Sequence, residues 1–328
     1  MQLWDFGQVF GILCVLIVIF AASWVYFRTN IGRCHSSVDL SGKTVIITGA
    51  NVGIGYYTAL DLARRNARVI LACRNKEKAE QARDEIISKT GNKNVVVRIV
   101  DLCLMRSIRN FAKEIIDEEP RLDILINNVG VVNEGKAKVL TDEGFERLFA
   151  ANYFGPFLLT NLLLDLMKKS APSRIVNLSS TVNKYGTIEF DNLQAEKKFK
   201  HHHRYFDSKL AVILFTRELA KRLEGTGVTA NVLHPGSVAT QLLKHMFVII
   251  RIPVQTFIKI FCKTGEEGAQ TSIYLAVSED VKDVSGKYFV DCKIQENGAN
   301  PLSRNMEVAE KLWRISEDLT GLAEKKTS

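Results

Sequence analysis

Lys43-Thr44-Val45-Ile46-Ile47-Thr48-Gly49-Ala50-Asn51-Val52-Gly53-Ile54-Gly55, continued by Thr58-Ala59-Leu60-Asp61-Leu62-Ala63, is the passage that decides the fold. Its opening residues are continuous rather than alternating in hydrophobicity, the pattern of a strand buried on both faces of a sheet. Gly49, Gly53 and Gly55 follow at once, and then a stretch with helical period. Glycine is needed where the chain turns sharply, where backbone must approach a pyrophosphate, and where a helix packs closely on a strand; the helix N-terminus then offers amide donors to the anion. A glycine triplet alone is weak evidence, but the strand before it and the helix after it supply the confirming context. Gly49, Asn51, Gly53, Ile54 and Gly55 are therefore read as a dinucleotide phosphate cradle.

Working outward, the same alternation recurs. Residues 67–72, 95–100, 122–126, 174–178 and 228–233 are short apolar runs, mostly β-branched, each followed by a stretch of helical period. Repeated βα units predict an α/β fold, a doubly wound parallel sheet of Rossmann type with helices on both faces. No change of composition interrupts residues 43–320, so one domain is expected rather than two, followed by a polar tail at 321–328. Ligands of such sheets sit beyond the carboxyl ends of the strands, which directs attention to the residues just after each run.

The whole chain of 328 residues is 46% apolar and 24% charged, with Lys+Arg 44 against Asp+Glu 36 for a formal charge of +8. That balance excludes a disordered, collagen-like or polytopic membrane protein. The positive excess is small and dispersed, which argues against nucleic acid as a partner. The six cysteines form no close pair in the sequence, so neither a disulfide framework nor a CxxC-type metal site is indicated, and free thiols in a reducing compartment are expected. Residues 6–27 stand apart because they carry no formal charge. A helix of that length covers about 33 Å, enough to cross a hydrocarbon core of about 30 Å. A transmembrane anchor over 1–27, joined to the domain by a linker at 28–42, is the expectation. A cleaved signal peptide is the rival, but Asp5 stands where a cationic n-region would be. Arg28, Arg33 and Lys43 on the far side place the C-terminal part in the cytosol by the positive-inside rule. The endoplasmic reticulum is the membrane expected, with the mitochondrial membrane as the alternative.

The second strand bears on cofactor choice. It ends Ala72-Cys73-Arg74-Asn75, without the carboxylate that usually holds an NAD ribose and with an arginine suited to a 2′-phosphate. NADP(H) is favoured through Arg74, unless that arginine is simply a surface residue. Asp101, just past the third strand, is placed either to meet an adenine ring or to cap a helix. Farther on, Tyr205-Phe206-Asp207-Ser208-Lys209 sets a phenol and an ammonium at i and i+4 on one helix face. A nearby cation favours phenolate and is expected to lower the Tyr205 pKa toward working pH, making it a general acid or base. Ser179 and Ser180, at the end of the fifth strand, offer a hydroxyl to hold a substrate oxygen.

In combination these residues resemble the short-chain dehydrogenase/reductase family, in which a TGxxxGxG loop, an NNAG segment and an Asn-Ser-Tyr-Lys tetrad recur in this order. The resemblance implies that Tyr205 is the acid/base, that Ser180 orients the substrate carbonyl or hydroxyl, and that both touch substrate. Lys209 would hold the nicotinamide ribose and depress the Tyr205 pKa. Asn152 would support a proton relay through a water. Asn128, in Asn127-Asn128-Val129-Gly130, stands in the NNAG segment beside the cofactor. Pro235, Gly236, Val238 and Thr240 match the segment that meets the nicotinamide, with Thr240 on the carboxamide. Ala72-Cys73-Arg74, residues 170–177, 215–220 and 285–289 further resemble the microsomal retinol dehydrogenase group (types 11 to 14), which implies NADP(H) and a lipophilic alcohol or carbonyl such as retinol or retinal. Three residues depart from the pattern: Val129 for alanine, Tyr56 where a basic residue is common, and Pro156 after Gly155, where a proline is expected to kink the helix near Asn152.

The chain at 242–261 is largely apolar with Arg251, Pro253 and Lys259 among it. It reads as a greasy cover over the nicotinamide, or as ordinary core helix. His201-His202-His203 point in different directions with no partner spacing, so no metal is expected. The function expected is a membrane-anchored NADP(H)-dependent oxidoreductase of a small lipophilic substrate, possible as a homodimer. Its rivals are a reductase of another lipophilic carbonyl (a steroid, polyprenol-derived or lipid aldehyde) and a non-catalytic nucleotide-binding scaffold.

Overall fold

The six apolar runs form strands that lie side by side, the central ones buried on both faces and β3, at the sheet edge, only in part. The structure, a computed structural model, describes residues 6–132, 137–238 and 262–323. In chain order the elements are α1 (Phe6–Thr29), β1 (Thr44–Thr48), α2 (Gly53–Arg64), β2 (Arg68–Cys73), α3 (Lys76–Thr90), β3 (Val95–Ile99), α4 (Met105–Glu118), β4 (Ile124–Asn127), α5 (Gly155–Lys169), β5 (Ser173–Leu178), α6 (His201–Arg222), β6 (Val228–Leu233), α7 (Gly265–Val277), β7 (Tyr288–Val290), β8 (Lys293–Ile294) and α8 (Met306–Leu319). They form one sheet in the order β3-β2-β1-β4-β5-β6-β7-β8, parallel from β3 to β7. The expected Rossmann-type sheet is present. Its edge adds the short β7 and an antiparallel β8, which sequence reading did not anticipate because such brief segments carry no periodicity.

Alternation of side chains across β1 divides the interior in two. Ile46 faces a layer built with α4, α5, α6 and α8, where Phe157, Phe215 and Trp313 pack ring to ring. Val45 and Ile47 face α2, α3 and α7. Both layers are apolar clusters, and every residue of β1 is buried. The centre of the sheet nevertheless contains polar side chains. The Asn127 amide donates to Thr160 Oγ1 at 2.9 Å and to Asn177 Oδ1 at 2.8 Å, and the Asn177 amide donates to Thr216 Oγ1 at 2.9 Å. These bonds pin α5 and α6 to β4 and β5 just below the strand ends, and so fix the height at which the helices present their side chains.

At the opposite end Asp123 locks β1 to β4. It accepts from the Thr44 amide at 3.0 Å, from Lys43 Nζ at 3.0 Å and from both arms of Arg121. Burial pushes this carboxyl up, but the Arg121, Thr44 and Lys43 donors together outweigh burial and hold it below its ordinary value.

Helix α1 forms where the anchor was expected and carries large apolar side chains into solvent; Phe10, Val18 and Tyr26 are 62%, 66% and 71% exposed. The side chains at 6–9, 13, 17 and 27 lie outside the described residues, and among the described residues no helix is long and apolar enough to cross a membrane. The base of α1 is tied down: both Arg28 arms donate to Glu267, at 2.6 and 3.1 Å. The apolar segment at 242–261, Thr240, Asp5, the His202 side chain and the tail from residue 324 are outside the described residues.

Because the Asp123 pKa is depressed, its contribution to stability is present above the unfolded carboxylate value and fades as pH falls through the lower folded value. Asp123→Asn is therefore expected to unfold more easily at pH 7 by about 1–3 kcal/mol, with the gap from wild type narrowing as pH falls below the ordinary carboxylate value. Urea titrations at pH 7 and across the acid range measure it.

Candidate active site

The carboxyl ends of β1, β4 and β5 converge on one rim, and the side chains there are held by a few specific bonds. Thr48 ends β1. Its hydroxyl oxygen accepts from the Asn128 amide at 3.0 Å and the Val129 amide at 3.3 Å, while the Asn128 side chain donates to the Thr48 carbonyl at 2.9 Å and the Gly49 carbonyl at 3.3 Å. The glycine loop is thus buttressed by the segment after β4. Gly49 has φ 65°. A Cβ on Gly55 would stand 2.4 Å from the Gly49 carbonyl oxygen and 2.6 Å from Asn128 Nδ2. Only glycine fits there, and the helix that starts at Gly53 has no side-chain cap on its first amides. These features fit a dinucleotide phosphate cradle, with Asn51 and Ile54 in the same turn.

At the second strand Arg74 is exposed just past Cys73 and, among the described residues, forms no ion pair. Asn75 beside it caps α3 by accepting from the Lys78 amide. Asp101 is neither a helix cap nor unoccupied: its Oδ1 accepts from the Cys103 amide at 2.9 Å, closing a turn, and Leu104 takes the cap position of α4. Tyr56 points away from this rim. It is buried beneath α2, where its hydroxyl accepts from Lys89 Nζ at 3.2 Å and its ring meets Tyr57 edge on. The Val129 methyl lies 3.0 Å from where a Gly49 Cβ would stand, against the cradle itself.

Tyr205 and Lys209 project from α6 toward the end of β5. The two serines divide their tasks: the Ser179 hydroxyl donates to the Lys209 carbonyl at 2.7 Å and secures the helix, whereas Ser180 lies close enough to the Tyr205 phenol to lower its pKa. Lys209 Nζ donates to the Leu178 carbonyl at 3.0 Å, stands 5.7 Å from the Tyr205 ring centre, and lies 3.1 Å from where a Cβ on Gly130 would be. The last contact explains a glycine at 130. The expected depression of the Tyr205 pKa does not appear. Burial raises the phenol above its ordinary value, and Ser180 offsets this only in part. Burial likewise pushes Lys209 down to about 8. Helical spacing brought the pair together, but desolvation of both groups dominates over their mutual effect.

Asn152 sits in a π-helical turn, Ala150–Phe154, where the Gly155 amide reaches five residues back to the Ala150 carbonyl. Pro156 follows at the start of α5, and having no N–H it cannot donate to the Asn152 carbonyl as a regular helix would require. The disturbance expected near Asn152 is this turn. Asn152 is buried; its Oδ1 accepts from the Val131 amide at 2.8 Å, and its Nδ2 donates to the Val131 carbonyl at 2.9 Å and to Ser208 Oγ at 3.1 Å. It therefore clamps the segment after β4 onto α6 one residue from Lys209.

Past β6, Pro235, Gly236 and Val238 line the same rim; Gly236 has φ 87° and its amide donates to His234 Nδ1 at 2.9 Å. Burial, with the nearby Lys263 charge, lowers the His234 pKa to about 4, so this ring is neutral. Sequence reasoning missed His234, Lys263 beneath the 235–238 segment, and the buried pair Arg204–Glu146. That pair spans 3.4 Å, with Glu146 capping the Leu148 and Phe149 amides ahead of the π turn and Arg204 stacked 4.5 Å over Phe149. No local motif marks Lys263 or the Arg204–Glu146 pair, whose partners are 28 and 58 residues away, and His234 is joined to Thr181 53 residues earlier as well as to Gly236.

A family model described as short chain dehydrogenase matches residues 43–247. Human retinol dehydrogenase 14 is 47% identical over 330 residues, covering 94% of this chain and 97% of that protein. Among solved structures, an uncharacterised protein from Mycobacterium paratuberculosis superposes with TM-score 0.69 at 31% identity, covering 88% of this chain and 98% of the other. A gluconate 5-dehydrogenase-like protein from Beutenbergia cavernae, described as NAD(P)-dependent and with bound NADP, has TM-score 0.62 at 25% identity, covering 77% and 96%.

With Lys209 at about 8 against an ordinary 10.5, the unfolded chain binds the additional proton between those values, so wild-type stability rises across that interval. Lys209→Met is expected to abolish that rise and to be at least as stable as wild type at pH 7, while losing about 100-fold or more in turnover. Denaturant titrations at pH 7 and 9.5, with rates at pH 7, test both parts.

Proposed function

From the premise that the chain belongs to the short-chain dehydrogenase family and is an oxidoreductase acting on CH–OH groups, we propose that it is a membrane-anchored NADP(H)-dependent enzyme interconverting retinol and retinal, with reduction favoured by NADPH. The observation that carries the catalytic part is Tyr205 beside Ser180, with a buried Lys209 whose Nζ stands 5.7 Å from the Tyr205 ring, on the rim that also holds the glycine cradle. When bound, the nicotinamide supplies or accepts the hydride. The Ser180 hydroxyl donates to the substrate oxygen and orients it. The Tyr205 phenol, neutral at working pH, gives its proton to that oxygen during reduction and recovers it in the reverse direction. Lys209, still charged at pH 7, stabilises the phenolate that results and holds the ribose. Asn152 keeps the 131 segment and α6 in register for that transfer.

Arg74 supports NADP(H), because an exposed guanidinium without an ion-pair partner among the described residues is free for a 2′-phosphate. The solved relative with NADP bound agrees with this reading. The retinoid substrate rests on the likeness to retinol dehydrogenase 14. Membrane attachment rests on α1: a 24-residue helix without an acidic residue in its first turn and with Arg28 in its last exposes apolar side chains that water does not favour. The anchor occupies 1–27, the linker 28–42 and the catalytic domain 43–320, facing the cytosol of the endoplasmic reticulum.

With retinal as substrate, Tyr205→Phe is expected to reduce turnover by about 100-fold or more while binding NADPH normally. Oxidation of NADPH at the wild-type rate by this variant would refute the assignment of the proton donor. Arg74→Asp is expected to shift the NADPH-over-NADH preference toward NADH by about tenfold or more. Microsomes carrying the full chain should retain it through carbonate extraction; release into the supernatant would refute the anchor.

A further inference from the structure

One carboxylate oxygen serves two distant parts of the chain. Asp291 stands in the tight turn between β7 and β8, with φ 51°. Its Oδ1 accepts from the Gly32 amide at 3.2 Å, in the linker just after α1, and also from Lys263 Nζ. Lys263 is buried, 4% exposed at its side chain. The same ammonium donates to the Pro235 carbonyl at 3.1 Å, the Lys263 amide donates to the Ser237 carbonyl at 2.8 Å, and a Cβ on Gly236 would stand 2.9 Å from Nζ. A buried ammonium is tolerated only with such partners, and removing its carboxylate leaves an uncompensated charge under the loop. The linker is equally committed to this place. A Cβ on Gly32 would lie 2.1 Å from the Asp291 carbonyl oxygen, and the Cys34 amide donates to Gln270 Oε1 at 3.0 Å. Arg28 reaches Glu267, whose carboxylate and backbone close a capping box with Thr264, the residue next to Lys263.

We propose that Lys263 and Asp291 are positioning residues that transmit the seating of the linker at Gly32 to the 235–238 segment, so that the hold on the nicotinamide end of the cofactor depends on how the membrane-side linker is docked. This rests on reading 235–238 as the segment that meets the nicotinamide. The contacts form a continuous path from linker backbone through Asp291 Oδ1 and Lys263 Nζ to the Pro235 carbonyl. Neither residue touches Tyr205, Ser180 or Lys209 in this path, so their loss acts on cofactor affinity and leaves proton transfer intact.

The test uses the full chain in detergent and three variants. Asp291→Asn keeps a residue that tolerates the positive φ and keeps an acceptor for the Gly32 amide, but removes the charge. Lys263→Met removes the ammonium. Gly32→Ala unseats the linker while leaving both side chains in place. Binding of NADPH and of NADH is followed by nicotinamide fluorescence, which requires no substrate, together with amide exchange of the 234–238 peptide. All three variants are expected to bind the preferred cofactor roughly five- to tenfold more weakly and to exchange faster at 234–238, with kcat at saturating cofactor within about twofold of wild type. Gly32→Ala is the decisive variant, because a merely local role for the ion pair would leave it at wild-type affinity. Unchanged affinity in Gly32→Ala, or a loss of kcat with unchanged affinity in Lys263→Met, overturns the proposal. Failure of wild type to bind either cofactor overturns the nicotinamide reading of 235–238 and this proposal with it, whereas failure of retinal as substrate leaves the binding measurements untouched.

Discussion

A strand buried on both faces can present chemistry only at its ends, and that constraint governs this molecule. β1 has no exposed residue, and β4 is buried throughout. The backbone polar groups at the carboxyl rim must find partners or water, and the chain answers with side chains that are also candidates for function. Thr48 and Asn128 bind each other's backbones across two loops, Ser179 holds the helix carrying Lys209, and Asn152 ties the 131 segment to Ser208. The scaffold and the site are built from the same bonds. The polar chain Thr160–Asn127–Asn177–Thr216, set between apolar strands, fixes the helices at the height these bonds demand.

Burial is also what tunes the titratable groups. Desolvation raises the Tyr205 phenol and lowers Lys209, moving each toward its neutral form. His234 is driven the same way, to a neutral ring that accepts from the Gly236 amide. Tyr205 therefore keeps its proton at neutral pH. The low dielectric that strengthens these bonds also makes the Lys209 charge costly to stability at neutral pH.

The departures from the family pattern acquire different meanings once placed. Tyr56 is a core residue under α2 and leaves the rim unaltered. Val129 packs against the glycine cradle, and Pro156 stands behind a π turn that aims Asn152 at α6. The three lie on different elements and do not share one face of the sheet, Tyr56 packing in the layer of α2, α3 and α7 and Val129 against the other. Motif comparison weighs them equally; geometry does not.

From the sequence alone came the six strands and their parallel arrangement, together with the glycine intervals and the Tyr205–Lys209 i, i+4 pair, because each is written in local spacing, whereas Asn152 and Ser180 were picked out by the family resemblance. The exposed apolar α1 was equally legible, being a matter of composition. Tertiary structure alone decided that Asp101 closes a turn and that desolvation prevails over the Lys209 charge. It alone joined Glu146 to Arg204 and Gly32 to Asp291 and Lys263, pairs separated by 28 to 259 residues. Local propensity records a residue's neighbours along the chain, whereas burial and long-range pairing depend on which surfaces the folded sheet brings together.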